Sequence, residues 1–393
     1  MRILHTSDWH IGRTFHGEPV LDNLALALDR LHEQVREHGV EVVCISGDIF
    51  DSAVPSAKAL QFFDARLAEF VDDGARVLVT AGNHDSAARL GYLARWLGES
   101  GIHIFADPSR PAEFIELQDA SGPVRFYGIP YLEPAIVRSY ADGDQIGSQR
   151  DAIAWAMGLV RESMAEFDGR VVVLAHCFAA GVPDTGVADD IERDLSAGGI
   201  DVVPLELFEG VSYVALGHIH SRSRLSERVR YSGAPLHYSF GEANQPRGSW
   251  LIDLGGAGEG GADEGAGDIA CQWLELPVPR PLVELTGTLQ ELETDAEFAA
   301  HTESWVSARL TDTDRPVDAM RRLRQRFPHA VHLEYVQRST TQQARRTLPR
   351  ATSPEQHADA FLKHVREAQG LTRFENEVLT DLLNEIRKQE AER

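Results

Sequence analysis

Lysine is almost missing from this chain of 393 residues: only Lys58, Lys363 and Lys388 occur. None stands in a G-x-x-x-x-G-K-S/T setting, so the chain has no phosphate-cradling P-loop, and any ATP dependence would come from a partner. Cysteine is equally scarce. Cys44, Cys177 and Cys271 are scattered, odd in number and without metal spacing. That argues against a disulfide framework or a thiolate metal site, fits a reduced compartment, and leaves each thiol as a small buried side chain. No apolar run approaches the roughly eighteen residues of a membrane-spanning helix. The opening MRILHTSDWH has no basic stretch followed by an apolar one, so no secretory leader is expected. Positive charge is short as well: 38 Lys and Arg face 61 Asp and Glu, a net charge of −23. Such a surface binds DNA weakly by itself, although divalent cations held by clustered carboxylates and histidines would reverse the local sign. One stretch breaks the acidic pattern. From Arg315 to Arg350, nine arginines stand against only Asp318 and Glu334, which gives either a solvated face or a contact for a DNA backbone.

What is present is an α/β alternation. The first 250 residues or so interleave short β-branched runs with amphipathic stretches. Strands are expected at 2–6, 41–46, 76–80, 124–128, 171–175 and 211–216, and helices over 20–37, 56–71 and 149–167. The strand ends matter most. They run into Ser7-Asp8-Trp9-His10, Gly47-Asp48, Gly82-Asn83-His84-Asp85, His176 and Gly217-His218-Ile219-His220. The carboxyl ends of strands are where α/β sheets place active sites. Residues 255–268, rich in glycine and acid, read as a mobile loop inside the last sheet. Prolines at 277, 279 and 281 mark a boundary. Beyond it, a small α+β unit is expected, with strands near 282–289, 304–310 and 330–335 and a helix at 317–326. A polar linker follows. Ser353-Pro354 then supplies an N-cap and a first-turn proline for a helix pair. Its apolar stripes are Ala358, Phe361, Leu362 and Val365, then, past Gly370, Phe374, Val378, Leu382 and Ile386. Such stripes either dock on the body of the chain or form a partner-binding hairpin on a tether, and the linker composition favours the hairpin.

Asp8, His10, Asp48, Asn83, His84, His176, His218 and His220 offer carboxylate, imidazole and amide oxygen, the donors that suit a pair of borderline-hard divalent cations. The two residues of Asp8-x-His10 are expected on one face because strand side chains alternate with period two, and His218-x-His220 likewise. Asp48 can bridge two ions with its two carboxylate oxygens. Any one of these pairs is more often an ordinary turn; the whole series, each member after an apolar run, is not.

These residues and their surroundings resemble the calcineurin-like metallophosphoesterases, and within them the SbcD nucleases. The strings that carry the resemblance are ILHTSDWHIGR, SGDIFDSAVPS, TAGNHDS, FYGIPYLEP, VLAHCFAAG, ERDLSAGGIDVVPLELFEGVSYVALGHIHSRS and RYSGAPLHYSFGE. It covers about the first 250 residues well, is weaker through the small middle unit, and persists only as architecture at the helix pair. The resemblance implies an α/β fold: a four-layer β-sandwich flanked by helices, with a small α+β capping domain and a C-terminal helix pair. The expected divisions are a nuclease domain at 1–278, a cap at 279–340, a linker at 341–353 and partner-binding helices at 354–393. It implies that Asp8, His10 and His220 hold one ion and Asn83, His176 and His218 the other, with Asp48 bridging. The metal expected is manganese, with magnesium as the alternative. His84 is implied to be catalytic rather than a ligand, stabilising charge or protonating the leaving oxygen, with Asp85 as its supporting carboxylate. The implied activity is 3′-to-5′ exonuclease action on double-strand DNA ends and endonuclease action at hairpins and single strands. The implied partners are DNA and an SbcC-type coiled-coil ATPase docked on the C-terminal helices. A homodimer within a heterotetramer, cytoplasmic and nucleoid-associated with no membrane contact, completes the expectation.

Asp51 stands where some relatives have a histidine and is assigned no catalytic role; Arg247 stands where relatives often have a lysine, without evident consequence. His5, His16, His103 and His237 are read as packing or hydrogen-bonding residues. Two rival functions remain. Phosphoprotein phosphatases usually carry an Arg after the second motif and a Glu after Asn-His, whereas this chain reads GDIFDSA and GNHDS; a stand-alone phosphodiesterase would leave the cap and helix pair without a purpose. A non-catalytic scaffold should have lost ligands, and none is missing here.

Overall fold

In a computed structural model of the chain, the residues described are 1–141, 146–179, 202–255, 269–336, 358–359, 361–363 and 371–391. The chain divides into two compact units, Met1–Val336 and Gln337–Arg393.

In the first unit the strands, in chain order, are β1 (Arg2–Thr6), β2 (Thr14–Phe15), β3 (Glu18–Pro19), β4 (Val42–Ser46), β5 (Arg76–Thr80), β6 (Ile102–Phe105), β7 (Phe114–Asp119), β8 (Gly122–Ile129) and β9 (Arg170–His176). They continue with β10 (Tyr213–Gly217), β11 (Ser223–Arg224), β12 (Val229–Tyr231), β13 (Gly248–Leu254), β14 (Ile269–Glu275), β15 (Leu282–Gly287), β16 (Trp305–Leu310) and β17 (Ala330–Tyr335). One six-stranded sheet runs β14-β13-β1-β4-β5-β6 and the other β11-β12-β10-β9-β8-β7. The central strands β1, β4, β5 and β6 are parallel, as are β8, β9, β10 and β12. β13, β14, β7 and β11 are joined antiparallel at the flanks.

Alternation along β4 shows why two sheets must stack. Val42 and Cys44 enter a core shared by both sheets, with Ile3, Leu78, Phe126, Leu174 and Tyr213. Val43 and Ile45 point the other way, into a core with Leu28, Leu31, Phe63 and Phe70 of the helices Leu21–His38 and Ala57–Asp72. Val171, Val173 and Ala175 of β9 pack with Ile153, Met157 and Val160 of the helix Gln149–Met164. The result is the four-layer α/β sandwich flanked by helices that the resemblance implies. Strands buried on both faces read as continuous apolar runs, which is why they were visible in the sequence without alternation.

Several boundaries differ from the expectation. The strand expected to reach residue 289 stops at Gly287, because Thr288 and Glu291 form a capping box that starts the helix Leu289–Thr294. The helix expected from 317 starts at Ala319, after Asp318 takes a left-handed conformation with φ 53°. β2, β3, β6, β7, β11 and β12 were not foreseen. β15, β16 and β17 form a parallel three-stranded sheet with its own core of Leu285, Leu292, Val306, Leu323 and Phe327. β13 and β14 pair up to Leu254 and Ile269; the loop read as mobile between them lies, from 256 to 268, outside the described residues.

In the second unit the helix Arg373–Ala391 contains the second apolar stripe, with Phe374, Val378 and Leu382 exposed. Phe361, in the first stripe, is also exposed. The linker, Ser353-Pro354 and Val365 lie outside the described residues, as does the side chain of Ile386. No helix among the described residues is long and apolar enough to cross a membrane.

Candidate metal centre

Because β1, β4 and β5 of one sheet and β9 and β10 of the other are parallel within their sheets, their carboxyl ends bring five loops together. The first two loops are laced directly: the Asp8 N–H donates to the Gly47 carbonyl at 3.1 Å and the His10 N–H to the Asp48 carbonyl at 3.0 Å. Asp8, His10, Asp48 and His218 all have positive φ, at 55°, 45°, 50° and 108°. Four non-glycine residues in a disfavoured region, grouped at one place, are the mark of a backbone bent for function. They also correct an expectation. β1 ends at Thr6 and β10 at Gly217, so the facing of Asp8 and His10 comes from left-handed turns, not from strand alternation. His218 and His220 do not share a face: the first meets Asn83 and the second meets His10. Gly47, with φ 82°, allows the close approach, because a Cβ there would lie 2.2 Å from His176 Nδ1.

Two groups result. In one, His10 Nε2 and His220 Nε2 lie 3.0 Å apart, and Asp8 brings a carboxylate oxygen within 4.8 Å of them. In the other, Asn83 Oδ1 lies 3.0 Å from His176 Nε2 and 3.1 Å from His218 Nδ1. Asp48 sits between, with Oδ2 3.6 Å from His10 Nε2 and 3.4 Å from His176 Nε2. Its other oxygen, Oδ1, accepts the His84 backbone N–H at 2.9 Å. All seven expected ligand residues are brought together.

The His84 ring packs edge-on against His10, with centroids 4.8 Å apart. The support expected from Asp85 is not there. Asp85 accepts backbone N–H groups of Gly82 at 2.8 Å, Phe50 at 2.9 Å and Ile49 at 3.1 Å, while His84 Nδ1 donates to the Asp51 carbonyl at 3.1 Å. A carboxylate adjacent in sequence was the natural candidate, but the turn aims it at the amides of the neighbouring loop. Asp51, assigned no catalytic role from sequence, meets His84 through its backbone carbonyl and has its carboxylate 3.6 Å from His10 Nδ1.

Sequence reading also missed Glu242 and Arg247. Both are almost fully buried. Glu242 Oε1 lies 3.4 Å from His220 Nδ1, and Arg247 Nη2 donates to Glu242 Oε2 at 2.7 Å. Arg247 Nη1 also donates to the His220 carbonyl. The odd Arg247 was the signal available in the sequence; nothing local said where its charge would be satisfied. The four histidines read from sequence as packing or hydrogen-bonding residues lie away from the cluster of candidate ligands. His5 donates Nε2 to the Leu216 carbonyl and accepts from the Tyr213 hydroxyl, and His237 donates to the Gln245 carbonyl. His16 stacks near Phe240, and His103 is partly buried.

Burial drives the protonation states. It pushes the Asp8 carboxyl up to about 6 and the His10 imidazole down to about 4. Burial and the His176 charge hold His218 at about 3. Burial also opposes charge on His176, but Asp48 and Asp8 outweigh it and raise that imidazole to about 9. Asp48, against its own desolvation, is held well below the carboxylate range by the surrounding imidazoles, His176 first. Buried carboxylates and imidazoles competing for protons at contact distance are what a cation site looks like when read through proton affinities.

The donors fit divalent ions. Carboxylates only accept hydrogen bonds, so His220 Nδ1, 3.4 Å from Glu242, carries a proton; burial opposes charge on that imidazole, but Glu242 outweighs it and raises its pKa. His10 Nδ1 stands 3.6 Å from the Asp51 carboxylate, beyond hydrogen-bond reach. The two Nε2 atoms lie 3.0 Å apart, close enough to share either a proton or a cation. Mixed imidazole, carboxylate and amide-oxygen sets suit metals such as manganese, zinc or iron.

A family model for calcineurin-like phosphoesterases matches residues 1–222. A second, for the type 5 capsule protein repressor C-terminal domain, SbcD_C, matches residues 278–366. Among solved structures, a dimetal phosphatase from Danio rerio is 13% identical over 70% of this chain and 95% of its own, with a TM-score of 0.41. TT1561 of Thermus thermophilus is 12% identical over 60% of this chain and 89% of its own, with a TM-score of 0.35.

Proposed function

The chain belongs to the calcineurin-like phosphoesterases and carries an SbcD-type C-terminal domain, and from that premise we propose that it is the nuclease subunit of an SbcCD-type complex. It hydrolyses DNA phosphodiesters, as a 3′-to-5′ exonuclease at double-strand ends and as an endonuclease at hairpins and single strands. The observation that carries the reading is the meeting of seven ligand-type side chains from five strand ends, with His84 set beside them, in a chain that also has the SbcD C-terminal domain.

Asp8, His10 and His220 would hold one ion, Asn83, His176 and His218 the other, and Asp48 Oδ2 both. Manganese is the metal expected, with magnesium as the alternative. Two divalent ions, when bound, would supply an ionised water for attack and offset the charge of the phosphodiester. His84 supplies the proton chemistry. Its Nδ1 is committed to the Asp51 carbonyl, which leaves Nε2 to protonate the departing sugar oxygen. Asp85 is a positioning residue in this reading: it ties the loop carrying Asn83 and His84 to the loop carrying Asp48.

The domains follow the same proposal: nuclease domain to about residue 278, cap over 279–340, linker, and helices from 354. The exposed row Phe374, Val378 and Leu382 supports helix-in-groove docking on a coiled-coil ATPase. Val54, Leu60, Tyr92, Leu93 and Trp96 are exposed on the segments after the second and third motifs, which Arg89 ties together through the Ala53 carbonyl. Apolar side chains grouped this way support a homodimer, placed in the cytoplasm at the nucleoid.

The test is cleavage of a labelled DNA hairpin by the purified chain with manganese, with and without the ATPase partner and ATP, beside bis-p-nitrophenyl phosphate. Hairpin cleavage stimulated by the partner and abolished in His84→Ala supports the nuclease. Turnover of the small ester with no DNA cleavage, even with the partner present, would make the chain a small-molecule phosphodiesterase.

A further inference from the structure

One edge of this acidic chain collects positive charge. β11 and β12 form a short antiparallel hairpin in which Arg224 stands opposite Arg230. Val229 and Tyr231 enter the core with the helix Gln149–Met164, so strand alternation turns Arg230 toward the other sheet. There Trp250 of β13 pairs with Trp273 of β14. The Arg230 guanidinium lies 4.5 Å from the centre of the Trp250 ring. That of Arg222 lies 4.7 Å from Trp250 and 4.6 Å from Trp273. Two like charges thus share one indole. Stacking suits the weakly hydrated guanidinium, but it leaves the N–H groups to be satisfied elsewhere.

Most of them are not. Arg224 pairs with Glu227, whereas among the described residues Arg222, Arg228 and Arg230 have no carboxylate at ion-pair distance. Arg230 is only 4% exposed. It donates Nη2 to the Glu227 carbonyl at 3.2 Å and lies beside the Cys271 thiol. Its Nε is buried without a partner, as are Arg228 Nη1 and Trp273 Nε1. Burial and then the Arg230 charge hold the Arg222 guanidinium below its ordinary value, against the pull of Glu275. Buried donors without acceptors are rare in folded chains. Three of them at one cluster of like charges point to an anion with several oxygens, which would meet the donors and offset the charges together.

We propose that Arg222, Arg228 and Arg230, with Trp273, form a binding site for phosphates of the DNA backbone. The proposal rests on the nuclease reading. Position favours DNA as the anion. Arg222 follows His220 by two residues, so at most about 7 Å of chain separates them. The far side of the hairpin is tied to the same centre. The Ala234 N–H donates to the His220 carbonyl at 3.1 Å, and Ser232 Oγ lies 2.8 Å from Ser7 Oγ, which donates to Asp8. A strand whose phosphodiester lies at the metal centre therefore brings neighbouring phosphates toward Arg222. With a net charge of −23 on the chain, a local cluster of arginines is where such a strand gains its attraction.

Binding of a fluorescent DNA hairpin to the full chain is followed by anisotropy over a salt series. A His84→Ala background with manganese keeps the DNA whole. Arg222→Gln and Arg228→Gln should each weaken binding about equally for all DNA sequences. Each should also lower the slope of log affinity against log salt by about 0.7–0.9. Arg228→Gln has no ion pair to lose and is the check should Arg222→Gln not fold. Polyglutamate, added as a competitor, should displace the DNA poorly. Displacement as effective as that by unlabelled DNA would make the face a dock for an acidic protein segment and overturn the proposal. Unchanged slopes in the folded variants overturn it too, and DNA cleavage by the wild-type chain then leaves the nuclease reading standing. A wild-type chain that neither binds nor cleaves DNA sinks the nuclease reading itself, and this proposal with it.

Discussion

Asp85 accepts the backbone N–H of Phe50 at 2.9 Å, across 35 residues of sequence. With the Gly82 and Ile49 amides on the same carboxylate, this bond sets the loop bearing Asn83 and His84 against the loop bearing Asp48. Asp85→Asn replaces one of two acceptor oxygens with a donor that faces N–H groups. The expected cost is about 1–3 kcal/mol of stability, read by chemical denaturation, with a fall in turnover because three site residues shift together.

His84→Ala is expected to lower DNA cleavage by about 100- to 10,000-fold, the range for losing a general acid. Ion count and affinity should stay at wild-type values in calorimetry. A parallel loss of metal would make His84 a ligand instead.

Gly47→Ala asks an alanine to adopt φ 82° and puts its Cβ 2.2 Å from His176 Nδ1. The left-handed conformation alone costs about 1 kcal/mol or more. Displacement of His176 should remove bound metal from its half of the centre, as counted by metal analysis after desalting.

The arginines of the cap separate into two groups. Arg322 pairs with Glu293 through two contacts at 2.7 and 2.5 Å; Arg324 donates to the Ala330 carbonyl and Arg326 to those of Leu292 and Asp295. Arg315 is exposed over Tyr335, and Arg321 pairs with Asp318 on its own turn. Alanine at Arg322 or Arg326 should lower the melting temperature of the chain. Alanine at both Arg315 and Arg321 should leave it unchanged and, where those residues meet the DNA backbone, flatten the salt dependence of binding by about 0.9 per lost phosphate contact. An unaltered slope removes the cap's exposed arginines from the DNA surface.

Asp119 takes both guanidinium nitrogens of the buried Arg170, one at 3.0 Å. The Arg170 charge holds its carboxyl below its ordinary value of 3.8. A depressed folded-state value adds stability that is complete above the ordinary value and fades as pH falls through the depressed one. Asp119→Asn should therefore cost about 1.5–3 kcal/mol near neutrality. The melting-temperature gap from wild type should close from about pH 5 toward pH 2.

Much of the site could be read from the chain because a ligand at a strand end announces itself locally: an apolar run stops and Asp, Asn or His follows. β1, β4, β5, β9 and β10 all obey this, and the seven candidate ligand residues and His84, which the fold brings together, were singled out by it and by the resemblance. The outer residues escaped for the opposite reason. Glu242 closes one of the strings that carry the resemblance, but its partner His220 lies 22 residues away and nothing local links the two. Asp85 was assigned to the wrong neighbour because adjacency in sequence says little about where a carboxylate points once the chain turns.

The sequence by itself determined the α/β alternation, the stacking of strands apolar on both faces, and the polar residues that end them, since each depends on neighbours within a few positions. Only the tertiary structure decided that His10 would meet His220 across 210 residues and that His218 would turn to Asn83. It also decided that Asp48 Oδ1 would accept the His84 amide while Oδ2 lies between His10 and His176, and that the arginine-held Glu242 would stand beside His220. Those outcomes depend on how two sheets stack and on left-handed turns at Asp8, His10, Asp48 and His218. Local propensity does not favour such turns; the packing and hydrogen bonds of the assembled fold hold them in place.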